Sequence, residues 1–132
     1  LVELIVVLVI LAILIALLVP TLTGYIDNAN KKKVASEGRQ ILMAAKTIAA
    51  DDYNSDEATK NLCGKTINTL KISAAGAAAD DPTIEKLSEV KDSKYTNVSI
   101  TFDADGTVSK LVYTGKKFTA TFDGSAWSTT KN

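Results

Sequence analysis

The stretch Leu4-Ile5-Val6-Val7-Leu8-Val9-Ile10-Leu11-Ala12-Ile13-Leu14-Ile15-Ala16-Leu17-Leu18-Val19 contains no polar side chain. As a helix rising about 1.5 Å per residue it covers about 24 Å. With Leu1, Val2 and the Pro20–Leu22 turn the apolar rod reaches about 33 Å, enough for a hydrocarbon core of about 30 Å. Leu, Ile, Val and Ala surround the whole helix, so it has no hydrophilic face with which to lie in a membrane interface. A cleaved signal peptide would begin with basic residues and end on small ones. This run begins without Lys or Arg and ends in Leu17-Leu18-Val19-Pro20-Thr21.

Glu3 is the only charge before Asp27. A carboxylate in a membrane helix costs roughly 2.5–3.5 kcal/mol at the centre and less near an interface. Aliphatic residues at roughly −0.3 to −0.6 kcal/mol each outweigh that cost. Insertion therefore survives Glu3, and a plain single-pass anchor leaves the residue unexplained. Two readings remain. Glu3 complements the helix dipole in the first turn, or it awaits a cation. No Lys or Arg is near it in sequence, so such a cation must come from a chain terminus or another subunit.

Composition narrows the function classes. The 132 residues allow one small domain plus an appendage. Lys+Arg and Asp+Glu number 15 each, so no basic field marks nucleic acid as the primary partner. Histidine is absent, which removes the commonest general base and metal ligand and argues against an enzyme. Cys63 is the only cysteine, so an intrachain disulfide is impossible. Its thiol is either buried as a small apolar group or reactive.

Leu1-Val2-Glu3-Leu4-Ile5-Val6-Val7-Leu8, Ile10-Leu11-Ala12-Ile13-Leu14 and Val19-Pro20 closely resemble the class III signal of type IV pilins and pseudopilins. The Glu-to-Pro spacing matches, and the motif covers the first fifth of the chain. The resemblance implies cleavage by a prepilin peptidase, methylation of the new N-terminal residue, and a mature terminus slightly before Leu1. It implies that Glu3 pairs with the N-terminal amine of a neighbouring subunit. Where the family usually has a mid-run Gly, this sequence has Ala12 and Ala16, whose small-x-x-x-small spacing permits close helix approach or simply fills the helix. Pro20 cannot donate a backbone hydrogen bond and its ring clashes with the carbonyl of Ala16, so a kink or unwinding is expected there. Gly24 adds flexibility. One signal runs the other way. Lys31-Lys32-Lys33 follows the span, and the positive-inside rule alone would place that end in the cytoplasm. The longer motif places it outside.

Residues 25–50 read as an amphipathic helix, with Ile26, Val34, Ile41, Leu42, Ala45, Ile48 and Ala49 at helical spacing. Asp27/Lys31 and Lys33/Glu37 are acid–base pairs expected on its exposed side. Joined to the apolar run it makes a helix of about 50 residues, roughly 75 Å long. A head of this size cannot cover that length. The first half must lie in lipid or against identical helices.

Residues 51–94 read as a connecting region with room for a short helix or an edge strand. Asp81 suits the N-cap and Pro82 the first position of a helix whose buried stripe would be Ile84, Leu87 and Val90. From Tyr95 the period changes to two. Val98, Ile100 and Phe102 mark one strand, Val108–Thr114 a second, Phe118, Ala120 and Phe122 a third, and Ala126-Trp127-Ser128 a short fourth. The predicted fold class is α+β: a long N-terminal helix packed on a small antiparallel meander, as in the pilin fold. The predicted organisation is an apolar helix half over 1–24 and a head over 25–132, with the sheet over 95–128.

Asp103-Ala104-Asp105-Gly106 resembles the start of a calcium loop but lacks the distal Glu, so turn chemistry is the expected role and no metal is assigned. Tyr113 and Trp127 are read as sheet packing. No phosphate loop is present and no cofactor is implied. The leading function is the structural role of a major pilin that the resemblance implies: a non-enzymatic pilus subunit held in the cytoplasmic membrane and then assembled with identical subunits at the cell surface. The pilus assembly machinery would be a partner, and adhesion or motility the filament's use. The alternatives are a pseudopilin of a secretion or competence system, whose usual Trp-Gly-x-Pro-Tyr stretch is absent, and a membrane-tethered binding module or adhesin, for which Glu3 would be replaceable.

Overall fold

In the computed structural model a helix, α1, spans Val2–Asn54. The structure describes residues 1–17 and 24–132 in full. Pro20, and the unwinding expected around it, lies outside the described residues. The chain forms two compact units, Leu1–Lys32 and Lys33–Asn132.

In the second unit, α1 buries Val34, Ile41, Leu42, Ala45, Ile48 and Ala49, positions three and four apart on one helix face. Ile26 was expected on that stripe, but it belongs to the first unit and is exposed. The helix was expected to end near Ala50. It runs on to Asn54 because no Gly or Pro interrupts it and Asp52 continues the buried stripe four residues after Ile48. The Ser55 amide and hydroxyl then close on the Asp52 carbonyl at 3.3 and 2.8 Å.

Five strands form one antiparallel sheet in sequence order: β1 Thr66–Ile67, β2 Tyr95–Phe102, β3 Val108–Gly115, β4 Phe118–Phe122 and β5 Trp127–Lys131. The fold is therefore α+β. The inward row of each strand carries the apolar residues that period two predicts: Val98, Ile100 and Phe102, then Leu111 and Tyr113, then Phe118, Ala120 and Phe122. The outward rows are mostly hydroxylated. Asn97, Thr114, Thr119 and Thr130 align across four strands, as do Ser99, Val112, Thr121 and Ser128, while Thr66 and Thr101 sit beside Lys110.

The helix runs opposite to β3. Val34 packs on Gly115, Glu37 bonds Tyr113, and Ala49 meets Gly106. Fifteen residues separate Val34 from Ala49, about 22 Å of helix, which matches the length of β3 at about 3.4 Å per residue. Gly38 makes the middle of this contact possible. A Cβ there would stand 2.9 Å from Cζ3 of Trp127. The indole itself stacks on Phe122, with ring centroids 5.3 Å apart.

Two further expectations are corrected. Glu37 does not face solvent with Lys33; it is buried against Tyr113. The short helix α2 spans Ile84–Ser88 and is capped by Thr83, whose hydroxyl accepts from the Lys86 amide at 3.3 Å. Asp81 instead closes a turn by accepting from the Ala78 amide at 2.8 Å. Ile84 and Val90 are buried as expected, while Leu87 is exposed.

The turn between β2 and β3 depends on Gly106, with φ +86°. An added Cβ would lie 3.0 Å from the Ala49 carbonyl oxygen. Gly106→Ala should therefore combine left-handed backbone strain with a clash against rigid backbone, costing about 2 kcal/mol. Thermal unfolding followed by circular dichroism should show a midpoint lower by roughly 10 °C. An unchanged midpoint would mean that the turn does not bear on α1.

Candidate assembly surface

Over Leu4–Leu17 the first unit presents apolar side chains on every side. From Leu4 to Leu17 its large aliphatic residues are 49–68% exposed. A helix that is apolar all round is stable only when something covers it. Each of these side chains has about 1 kcal/mol or more to gain by leaving water. Ala12 and Ala16 are exposed on the same helix, four residues apart. Glu3 lies in its first turn and makes no salt bridge among the described residues. Among the described residues no helix is long and apolar enough to cross a membrane. The described part of the run ends at Leu17, about 26 Å from its start.

The second unit holds three polar arrangements. The first is at Asp52, which is fully buried. Its Oδ1 accepts from the amides of Asn61 at 2.9 Å and Ala75 at 2.8 Å. Its Oδ2 accepts from Leu62 and Cys63, both at 3.0 Å. Burial pushes the carboxyl up, but these four amides outweigh it and hold Asp52 well below the usual carboxylate range. An acidic residue at a helix C-terminus opposes the helix dipole. The ring of N–H donors more than offsets this and fastens the connecting region onto α1.

The second is the buried pair of Tyr113 and Glu37, in which the phenol donates to the carboxylate. Burial, then the neighbouring carboxylate, pushes the Tyr113 hydroxyl far above its ordinary value. Tyr95 stacks against Tyr113 at 5.5 Å and donates to Asp92 at 2.9 Å.

The third is Cys63, half-buried, with Sγ 3.7 Å from the Ala49 carbonyl. Burial, reinforced by the Asp52 carboxylate, pushes the thiol up to about 11. Such a thiol is almost wholly protonated near neutrality and makes a poor nucleophile.

The acidic turns are closed by their own residues. Asp105 accepts from the Thr107 hydroxyl at 2.6 Å and its amide at 3.1 Å, and Asp103 accepts from the same hydroxyl at 3.2 Å. Asp123 accepts from the amides of Ser125 and Ala126 at 2.9 and 2.8 Å. Among the described residues no group of His, Cys, Asp or Glu is arranged to hold a metal. Clefts open on the head. One lies beside Ile48, Asp51, Ala75 and Pro82, another beside Met43, Ala44, Thr47 and Leu87. Neither brings Glu37, Cys63 and Asp52 together.

Asp52 and Glu37 were not singled out from sequence as functional or structural anchors. Both lie on the helical stripe that carries Val34, Ile41, Ala45 and Ile48, and that phase is the signal that marks them. No protein family, curated protein or solved structure matches the chain.

Two predictions follow from this chemistry. Because its folded-state pKa is depressed, the Asp52 carboxylate contributes stability that is present above the ordinary 3.8 and lost as pH falls below it. Asp52→Asn leaves buried amides facing a poorer acceptor, costs about 3 kcal/mol, and should flatten the acid limb of a stability–pH curve. An unchanged acid limb would exclude Asp52 as its source. At pH 8 a thiol near 11 rather than 9.0 should react with iodoacetamide about 100-fold more slowly than an unhindered cysteine, and at the ordinary rate once unfolded.

Proposed function

We propose that this chain is the structural subunit of a type IV pilus-like filament, with the pilin fold in its head and its apolar helix packed among those of identical copies. The observation that carries this reading is the aliphatic surface of the first unit, exposed on every side from Leu4 to Leu17. Such a surface is stable in lipid or against like helices. The α+β head, with α1 laid on an antiparallel meander, supports the same reading.

In this reading the subunit is held in the cytoplasmic membrane, is processed by prepilin peptidase, and is then passed to the pilus assembly machinery. Sixteen consecutive aliphatic residues over Leu4–Val19 support the membrane stage. Glu3 is the selective element. In a low-dielectric core its carboxylate is stable only beside a cation, and the N-terminal amine of a neighbouring copy supplies one without adding a basic side chain. Ala12 and Ala16 let adjacent helices approach. The head performs no chemistry of its own and is displayed on the cell surface.

Immunogold electron microscopy of wild-type cells should label filaments along their length. Glu3→Ala should reduce sheared filaments by about ten-fold or more while the chain stays in the membrane fraction, because a plain anchor does not need that carboxylate. Normal filaments in the Glu3→Ala strain would remove the amine-pairing role. Unlabelled filaments, or none, would leave a tethered binding module as the better reading.

A further inference from the structure

The second unit is electrically polarised along α1. The register of α1 on β3 defines two ends of the head: a base where the helix enters at Lys33 and Val34, and a top where it ends beyond Ala49. The turn Lys116-Lys117 follows Gly115, which packs on Val34 and so belongs to the base. Lys91 and Lys94 precede Tyr95, the register partner of Gly115, and join it there. These side chains and that of Lys33 are exposed. Of the acidic groups near the base, Asp92 is already paired with Lys71 at 2.7 Å, and the half-buried Glu85 lies beside that pair.

The top is the reverse. Asp51, Asp56 and Glu57 lie at and just beyond the end of α1. Asp103 and Asp105 lie in the turn whose Gly106 meets Ala49. Asp123 lies in the β4–β5 turn at the same end of the sheet, where Gly124 faces the Ser109 carbonyl. All six carboxylates are exposed. Four lysines are nearby: the ammonium groups of Lys60 and Lys65 are turned onto the backbone carbonyls of Ser55 and Lys60, Lys46 lies over the Phe122 ring, and Lys110 is on the outward row of β3, so the six carboxylates still outnumber them.

We infer that the acidic top of one head docks on the basic base of another copy, so that heads stack head-to-tail along the filament. The inference rests on the filament reading above. Each head carries both poles, so every copy offers a top to one neighbour and a base to another. A heterologous contact of this kind generates an open helical assembly when its rotation does not close on itself. Opposite fields also orient the incoming copy and penalise insertion upside down.

The test uses the full chain in cells that assemble it. Lys116→Glu with Lys117→Glu reverses the base, Asp51→Lys with Asp56→Lys reverses the top, and a four-fold variant reverses both. Each single-pole reversal should lower sheared filament yield by about ten-fold at unchanged chain level, and the four-fold variant should recover to within about two-fold of wild type. Wild-type filaments should also loosen in about 0.5 M NaCl, where exposed charges are screened within a few ångströms. Carbodiimide treatment of filaments built from mixed isotope-labelled chains should join top carboxylates to base lysines between copies. Wild-type filaments with silent single-pole reversals, or a four-fold variant that stays as poor as its parents, would overturn the pole contact and leave the filament reading standing. Absence of wild-type filaments would overturn the filament reading, and the pole contact with it.

Discussion

The head contains one cysteine and therefore no covalent tie between α1 and the region that follows it. The Asp52 carboxylate does that work. Four amides spread over residues 61–75 converge on its two oxygens, so a stretch with little regular structure is drawn onto the end of the helix. Leu62, Ile67 and Leu70 are thereby delivered into the core, and β1 is brought against β2. Remove the charge and four amide donors, two of them buried, lose their acceptor at once. A disulfide at this point would hold in acid. The carboxylate holds only while it is ionised.

The two units treat the same element in opposite ways. In the second unit α1 has one apolar stripe, and the sheet covers it. Where a polar side chain falls on that stripe it is matched individually: Glu37 by the Tyr113 hydroxyl, Asp52 by the four amides. Over Leu4–Leu17 of the first unit the helix has no polar face to turn outward, and the one polar group in its first turns, Glu3, makes no salt bridge among the described residues. Buried carboxylates in the head are satisfied within the chain. The exposed carboxylate of Glu3 sits amid aliphatic surface that is itself uncovered.

The legible features were those with a local period. Alternation exposed β2, β3 and β4 in the sequence, because one face of each packs on α1 and the other meets water. Asp103-Gly106 and Asp123-Gly124 marked their turns through chemistry confined to a few residues. Most of what local spacing missed was decided by distant partners. Glu37 looked like the acid of an i,i+4 pair with Lys33, but Tyr113 lies 76 positions away and claims it. Asp81 had the right neighbour in Pro82 for a cap, yet Thr83, also adjacent to Pro82, caps the helix and Asp81 accepts from the Ala78 amide instead, a choice between two local caps. The two residues of β1 are too few to show a period and exist because Asp52 holds the preceding loop. The family resemblance concerns residues 1–20, and nothing in the fold of the head bears on Glu3.

The outward face of the sheet has a consequence for how the head meets other surfaces. Its aligned rows of Thr, Ser and Asn are interrupted only by Val112 and by the single charge of Lys110. Such a face binds water through short hydroxyls and offers neither an apolar patch nor a field of one sign. It behaves as a hydrated, nearly neutral skin. Indiscriminate sticking to charged or greasy material is suppressed there, and a display built from many such heads would stay dispersed in brackish and in dilute water alike.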